Sequence, residues 1–480
     1  MPSDKNASYN SIFCAIFLIG MLTPFKICSD EYSVLIDSPV LTDLNGLPII
    51  PGTSIAGVFR KSARDSFKNE EDIKDIFGYS IDESEGAGSR LIFSHGIVID
   101  KDGKPVINLI KNKNDFLKLL SFERFPLREK NAINGKGVAK KHSKFDEQIV
   151  PKGVRFAFEI EFRGNCESEE DRQKWSNIIN LVKSDNFRLG GGSRHGFGLV
   201  KLLNFKENVY RLNVEEELKN YLDREFLAES EELFNNVGKG SFYIDVNKNT
   251  AFKEYVLKLK PRDFFIFSSG FTSEENDADM TPIKEIAITY DADKSDKVYY
   301  NIIPASSIKG AISHRIAYHY NCIKGNFAEN YTVKDDKSSK GEIEDLASPN
   351  NEACKVLFGS KKEKNGNKAN DEKSCDKAGN VFFEDIFIEE ADVKDVKLLH
   401  HVSIDRFTGK SIDGALFSEE VLQLKKDSEI TIKFFVKKEV IDSNKDIEKA
   451  LNRAIFDIEN GLLPLGGGVN RGHGIFMKAE

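Results

Sequence analysis

The sequence predicts an α+β protein built from two copies of one module. Three observations predict it: two motifs return in the same order in each half, alternating stretches such as Val154–Phe162 read as strands with one buried face, and helix-start signals follow the first motif both times. Strands mixed with a few helices in each half fit separate sheets rather than one doubly wound parallel sheet.

Taken in chain order, the first element is Ser11–Phe25, SIFCAIFLIGMLTPF. It is apolar enough to imitate a signal-peptide core, but no basic flank precedes it and no small-x-small site follows cleanly. Thr23-Pro24 breaks it well short of a bilayer span. It reads as a buried strand, with a secretory signal as the alternative. Ile50–Gly57, IPGTSIAG, returns as Ile303–Gly310, IPASSIKG. A helix follows each copy, with Ser54 or Ser307 placed to N-cap it and Arg60, Arg64 and Arg315 on the next turns. Asp75–Gly78 then matches Val356–Gly359, and Arg90–Ser94 matches Asn380–Glu384. A segment from Arg124 to Glu147 resembles His401–Glu419. Last, Leu189–Gly198, LGGGSRHGFG, returns as Leu465–Gly474, LGGGVNRGHG. Five echoes in one order define a first module at 1–210 and a second at 251–480. The acidic stretch 211–250, with Val214, Leu218, Tyr221 and Leu222 at helical spacing, reads as a helical linker or the tail of the first module. Residues 324–378, rich in Lys, Asp, Asn, Ser and Gly, read as a mobile insertion.

Composition bounds the function. With 40% hydrophobic and 30% charged residues the chain is soluble and globular. A net charge of −8 argues against a free-standing nucleic-acid binder but leaves room for a basic groove on an acidic body. The 6 cysteines form no CxxC pair and suit reduced thiols in a cytoplasmic protein. His314, His319, Cys322, Cys354 and Cys375 gather in the second module and make zinc a further possibility, against which stand their loose spacing and the lack of a CxxC pair.

Together, the doubled glycine loop and the Ile-Pro-Gly-x-Ser-x-x-Gly-x-x-Arg motif resemble the RAMP superfamily of CRISPR proteins, whose fold is ferredoxin-like and RRM-related. Ile36-Asp37-Ser38-Pro39-Val40 and His401–Phe417 look like the backbone subunit of type III effector complexes, the latter as its thumb hairpin. Two fused modules lean toward the III-D kind.

The resemblance implies a subunit that stacks along a guide CRISPR RNA, meets complementary target RNA, and assembles with other effector subunits of the RAMP and large-subunit types, away from any membrane. It implies guide contacts from the glycine loops and helix starts: Ser54, Arg60, Arg64, Gly191, Gly192, Arg194, Ser307, Lys309, Arg315, Gly467, Gly468 and Arg471. Close backbone approach at glycines and amides at helix starts suit a phosphate chain. Ala56 stands where the motif often has lysine. The thumb would offer Arg128, Arg406, Phe407 and Leu416, of which Phe407 and Leu416 are candidates to wedge between bases. Asp37 would cut target RNA, with a divalent metal such as Mg2+ recruited by its carboxylate. In the second module Asp279 is the counterpart candidate, with Asp277 behind it; aligning Thr281-Pro282 on Ser38-Pro39 sets Asp279 one residue early. Two other readings stay open: a guide scaffold without cleavage, and a precursor-RNA processing nuclease using a histidine among His142, His195, His400 and His401.

Overall fold

The computed structural model describes every residue except 1–8, 30–35, 68, 82–85, 135–136, 140, 226, 228–250, 273–277, 292–294, 328–345, 361–376 and 480. In the first half β1 (Ser11–Met21) runs into α1 (Gly52–Ser66) and α2 (Glu70–Phe77), then β2 (Leu91–Phe93) and β3 (Ile97–Val98). A short hairpin of β4 (Leu127–Lys130) and β5 (Phe145–Gln148) precedes β6 (Arg155–Gly164), α3 (Glu169–Val182), β7 (Val200–Arg211) and α4 (Glu215–Asp223). The sheet order is β2-β6-β1-β7, antiparallel, with β3 also on β6.

The second half repeats this. Its elements are β8 (Phe252–Pro261), β9 (Lys284–Ile288), β10 (Lys297–Ile303), α5 (Ala305–Lys324), α6 (Glu352–Phe358), β11 (Val381–Phe383) and β12 (Ile386–Glu389). Then come β13 (Val393–Ile404), β14 (Ser411–Leu424), β15 (Ile430–Lys437), α7 (Lys445–Glu459) and β16 (Phe476–Lys478). The order β11-β15-β8-β16 is that of the first sheet strand for strand. Both halves are ferredoxin-like. β13 and β14 form the long thumb hairpin, the counterpart of β4–β5.

Each half has its own core. Phe17, Phe158, Phe59 and Ile178 close the first, where the cross-strand pair Phe17–Phe158 has ring centroids 5.1 Å apart and Phe59 of α1 meets Phe158 edge-on at 6.3 Å. Leu257, Ile308, Ile312, Phe434 and Leu451 close the second.

Ser11–Met21 is a strand buried along its whole length. No helix among the described residues is long and apolar enough to cross a membrane. Three expectations change. Strand β6, read as buried on one face, is buried on both over most of its length, because the chain after α4 crosses the sheet. There Tyr221 donates to Glu161 Oε2 at 3.0 Å, Arg224 pairs with Glu159 at 2.8 Å, and Leu227 is buried. Ser54 and Ser307 do not cap their helices, which start earlier, behind Pro51 and Pro304. A side chain from another element accepts the first amide instead: His95 Nδ1 from Gly52 N at 3.0 Å, and Asp385 Oδ1 from Ala305 N at 2.8 Å. The stretch 324–378 also contains α6, which seats Ala353, Cys354 and Leu357 against α5. Residues 328–345 and 361–376 of it lie outside the described set.

Candidate functional site

The segment bearing Asp37 is held by the inner strand of the thumb hairpin. Ser38 bridges Glu147 in parallel, Gln148 N donates to Ser38 O at 3.1 Å, and Asp146 N donates to Asp37 Oδ2 at 3.0 Å. The second half repeats this bond for bond. Met280 bridges Glu419, Glu420 N donates to Met280 O at 2.9 Å, and Ser418 N donates to Asp279 Oδ2 at 2.8 Å. Asp279 therefore sits opposite Asp37 with no slip, and Met280 falls opposite Ser38. The proline is what moves: Ser29 N bonds Pro39 O while Ser269 N bonds Thr281 O, so Thr281, not Pro282, matches Pro39. Hydrogen bonds to the thumb strand set the register, and a residue without an N–H does not. Both aspartates are exposed. Asp277 lies outside the described residues.

Beneath each aspartate is a buried glutamate. Glu147 meets Lys26 at 2.6 Å and Lys130. Glu419 meets His401 at 2.8 Å, Arg471 at 2.6 Å and His473 at 3.2 Å. Lys130 and His401 occupy the same register position, opposite Phe145 and Phe417. Burial, and then the nearby Arg128, hold the Lys130 ammonium down to about 7. Burial also lowers Lys26.

From Lys130 a run of cations crosses to the second half. His195, half-buried, is pushed down to about 3, by desolvation first and then by Lys309, Lys130, Arg194 and Lys26, and stays neutral. Its Nε2 accepts from Lys309 Nζ at 3.0 Å, which places the ring proton on Nδ1. Burial and Arg194 bring Lys309 to about 8, and burial and Arg194 lower Lys61 on α1. Cations this close with few carboxylates between them repel, and a polyanion relieves that repulsion.

The remaining residues singled out above divide into two sets. Arg64 and Ser307 are exposed on the starts and flanks of α1 and α5, and Ser54 is half-buried there. Gly191 and Gly192 are exposed at the first loop, and Gly467 and Gly468 are half-buried at the second. Each loop is anchored alike, Gly191 N to Lys26 O and Gly467 N to Ile266 O, both at 2.8 Å. The other arginines bond groups of the protein itself. Arg60 donates to Gly78 O at 3.0 Å, Arg194 to Gly379 O at 2.6 Å, and Arg315 pairs with Asp457. Arg471 holds Glu419. Arg128 lies on the thumb hairpin but is buried, clamped by Glu285 and, at 2.8 Å, by Asp385 of the second half. It joins the modules instead of facing solvent.

The outer thumb does face solvent. Phe407 is 98% exposed at the hairpin tip, and Leu416 and Arg406 are exposed with it. Asp405 Oδ1 accepts from Phe407 N at 3.1 Å and Thr408 N at 2.7 Å, so the tip is a built turn that presents Phe407. Of the zinc candidate set, His319 and Cys354 are engaged elsewhere, and Cys375 lies outside the described residues. His319 Nε2 meets Asp457 at 2.7 Å, and Cys354 donates to Ser313 O at 3.1 Å with its thiol pushed up to about 12 by burial.

Lys26, Lys61, Lys130 and Glu147 escaped the sequence reading. Lys26 directly follows Phe25 and is two positions before Cys28, and no local pattern marks it. Glu147 and Glu419 carried a signal: both end the echo running from Arg124 and His401.

A family model described as the RAMP superfamily matches residues 21–201 and 285–477. No curated protein matches the chain.

Proposed function

The chain belongs to the RAMP superfamily of CRISPR-associated RNA-binding proteins, as two fused copies, and we propose that it is a backbone subunit of a type III effector complex, cutting target RNA at Asp37 and at Asp279. One observation carries this: two exposed aspartates hang from the same thumb-strand amide in both halves, each above a buried glutamate tied to cations.

Guide RNA runs past the glycine loops and across the cations at the joint, from Lys130 and Lys26 by Lys309 to Lys61 and Arg64. Phosphates there satisfy ammonium groups that the protein leaves crowded. Phe407 at the thumb tip enters the guide–target duplex and unstacks a base step, while base pairing alone reads sequence. Complementary target RNA, other RAMP subunits and a large subunit complete the assembly in the cytoplasm.

An extruded nucleotide next to Asp37 brings its 2′-OH in line with the adjacent phosphorus. The carboxylate takes the hydroxyl proton, the O2′–P bond forms and the P–O5′ bond breaks. The products are a 2′,3′-cyclic phosphate and a 5′-hydroxyl, whose proton comes from solvent. The thumb-strand amide holds Asp37 Oδ2, and Arg471, His401 and His473 with Glu419 fix the matching strand under Asp279. A divalent cation such as Mg2+ fits the first site, because Asp146 Oδ1 lies buried without a hydrogen-bond partner beside Asp37. Asp37 and Asp146 would hold it, and when bound it would stabilise charge on the phosphate oxygens. The test is cleavage of a labelled target by the assembled complex with Asp37→Ala, Asp279→Ala and both. Each single change removes one product while guide binding persists. An unchanged product ladder in both leaves a scaffold.

A further inference from the structure

The turn after α3 buries a cation that the fold does not use. Arg188 lies there with its side chain 3% exposed, and its Nε donates to Asn186 Oδ1 at 2.8 Å. Neither terminal nitrogen of the guanidinium meets a hydrogen-bond acceptor among the described residues. The one carboxylate within ion-pairing range there, Glu384 of the second half, stands 3.7 Å away, too far for a hydrogen bond, and its Oε1 is likewise without one. Burying a guanidinium with its donors unmet costs stability, and burial holds Arg188 down to about 10. The second half shows that the backbone does not need this arginine. Leu189 N bonds Gly198 O as Leu465 N bonds Gly474 O, so Pro464 occupies the matching position.

Arg188 borders a cleft at the joint with about 590 Å³ of open space. Lys61 and Ser62 line it from α1, Ser184 lines it beside Arg188, and Phe252 and Phe382 of the second half form the far wall. Three cations converge on that wall. Lys61 Nζ lies 5.6 Å from the centre of the Phe382 ring, the Arg188 guanidinium 5.9 Å and that of Arg194 5.2 Å. Arg194 is satisfied by Gly379 O. Lys61 forms no ion pair among the described residues, because Asp65, one turn along α1, is taken by Lys437 at 2.7 Å. The second half answers its own helix cations differently. Counted from the shared helix start, Ser62 matches Arg315 and Ser66 matches His319, and Asp457 binds both. The first half leaves the anion's place open.

We propose that this cleft binds a small phosphate monoester, its phosphate held by Arg188 and Lys61 with the Ser62 and Ser184 hydroxyls donating, and its organic part against Phe252 and Phe382. Charge and burial set the class. A guanidinium with both terminal nitrogens free matches two oxygens of a tetrahedral anion, and a monoester near neutral pH carries close to two charges. A phosphate within an RNA strand carries one charge and a nucleotide on each side, which the narrow opening at Arg188 does not admit. Lys61 borders both the guide path and the cleft; Arg188 belongs to the cleft alone. The ligand is therefore additional to the guide.

The test uses the full chain without RNA, so it stands or falls apart from the cleavage reading. Titration calorimetry with phenyl phosphate shows saturable binding at one site, and methyl phenyl phosphate, the matched diester, binds at least about tenfold more weakly. Arg188→Gln abolishes binding, with folding checked by circular dichroism. Ser62→Asp leaves Arg188 in place and supplies an internal carboxylate; it also abolishes binding, without lowering the melting temperature. The chain loaded with guide RNA still binds phenyl phosphate. No saturable binding by the unaltered chain, binding retained in either variant, equal affinity for the diester, or loss of binding on guide loading would each overturn the proposal.

Discussion

The two halves share a backbone and differ in how they hold the same aspartate. The first sets Glu147 between two lysines, one of them lowered to about 7. The second sets Glu419 among an arginine and two histidines. The first also has Asp146 beside its aspartate, where the second has Ser418. Duplication preserved the strand amide that aims each carboxylate and left the supporting charges free to change. The aimed geometry is therefore the shared property, and the chemistry beneath it is where the halves diverge.

The comparison breaks most visibly at the joint. Arg128→Ala leaves Glu285 and Asp385 buried without their cation, a loss of about 3–5 kcal/mol, read as an early melting transition. Leu399→Ala, at the same position in the other half, shifts melting far less. Next come the aspartates. Asp37→Ala and Asp279→Ala each lower one cleavage product by about 100-fold or more, leaving the other near wild type, as gel-resolved rates of the assembled complex would report.

A pH series sharpens the difference further. Lys130 has a folded pKa below its ordinary value, so the folded chain holds fewer protons than the unfolded one between about 7 and 10. RNA-free stability thus rises with pH across that window as far as Lys130 contributes. Guide affinity at the first half moves the other way, falling as Lys130 discharges above about 7. Lys130→Arg keeps the charge and flattens the affinity profile measured by filter binding. The smallest expected effect is on folding by Phe407→Ala, within about 0.5 kcal/mol because the ring touches solvent. The same change slows cleavage beside the second thumb. A large loss of stability would mean that the tip packs against the fold.

Much of this was legible from the sequence. The duplicated motifs marked both modules, and the apolar run from Ser11 read as a strand. The resemblance singled out Asp37 and Asp279, and the structure gives both the same bond to a thumb-strand amide. The sequence reading misplaced Asp279 by one residue, since matching prolines weighs identity while the fold counts hydrogen bonds. It placed Arg128 on the thumb and Arg60, Arg194 and Arg315 among RNA contacts, because an arginine near a motif looks the same whether it faces a phosphate or bonds a carbonyl or carboxylate of the protein. Arg128 and Glu285 lie 157 positions apart, and no periodicity connects them. The helix caps at His95 and Asp385 were hidden for the same reason: they reach back from the link between two later strands.

The buried Arg128 clamp has a metrical consequence. A rigid joint makes the distance between Asp37 and Asp279 a constant of the molecule, like the jaws of a locked caliper. If both cut, the fragment released between them has one length for every target, whatever its sequence. Loosening the lock would blur that length before it lowered either rate.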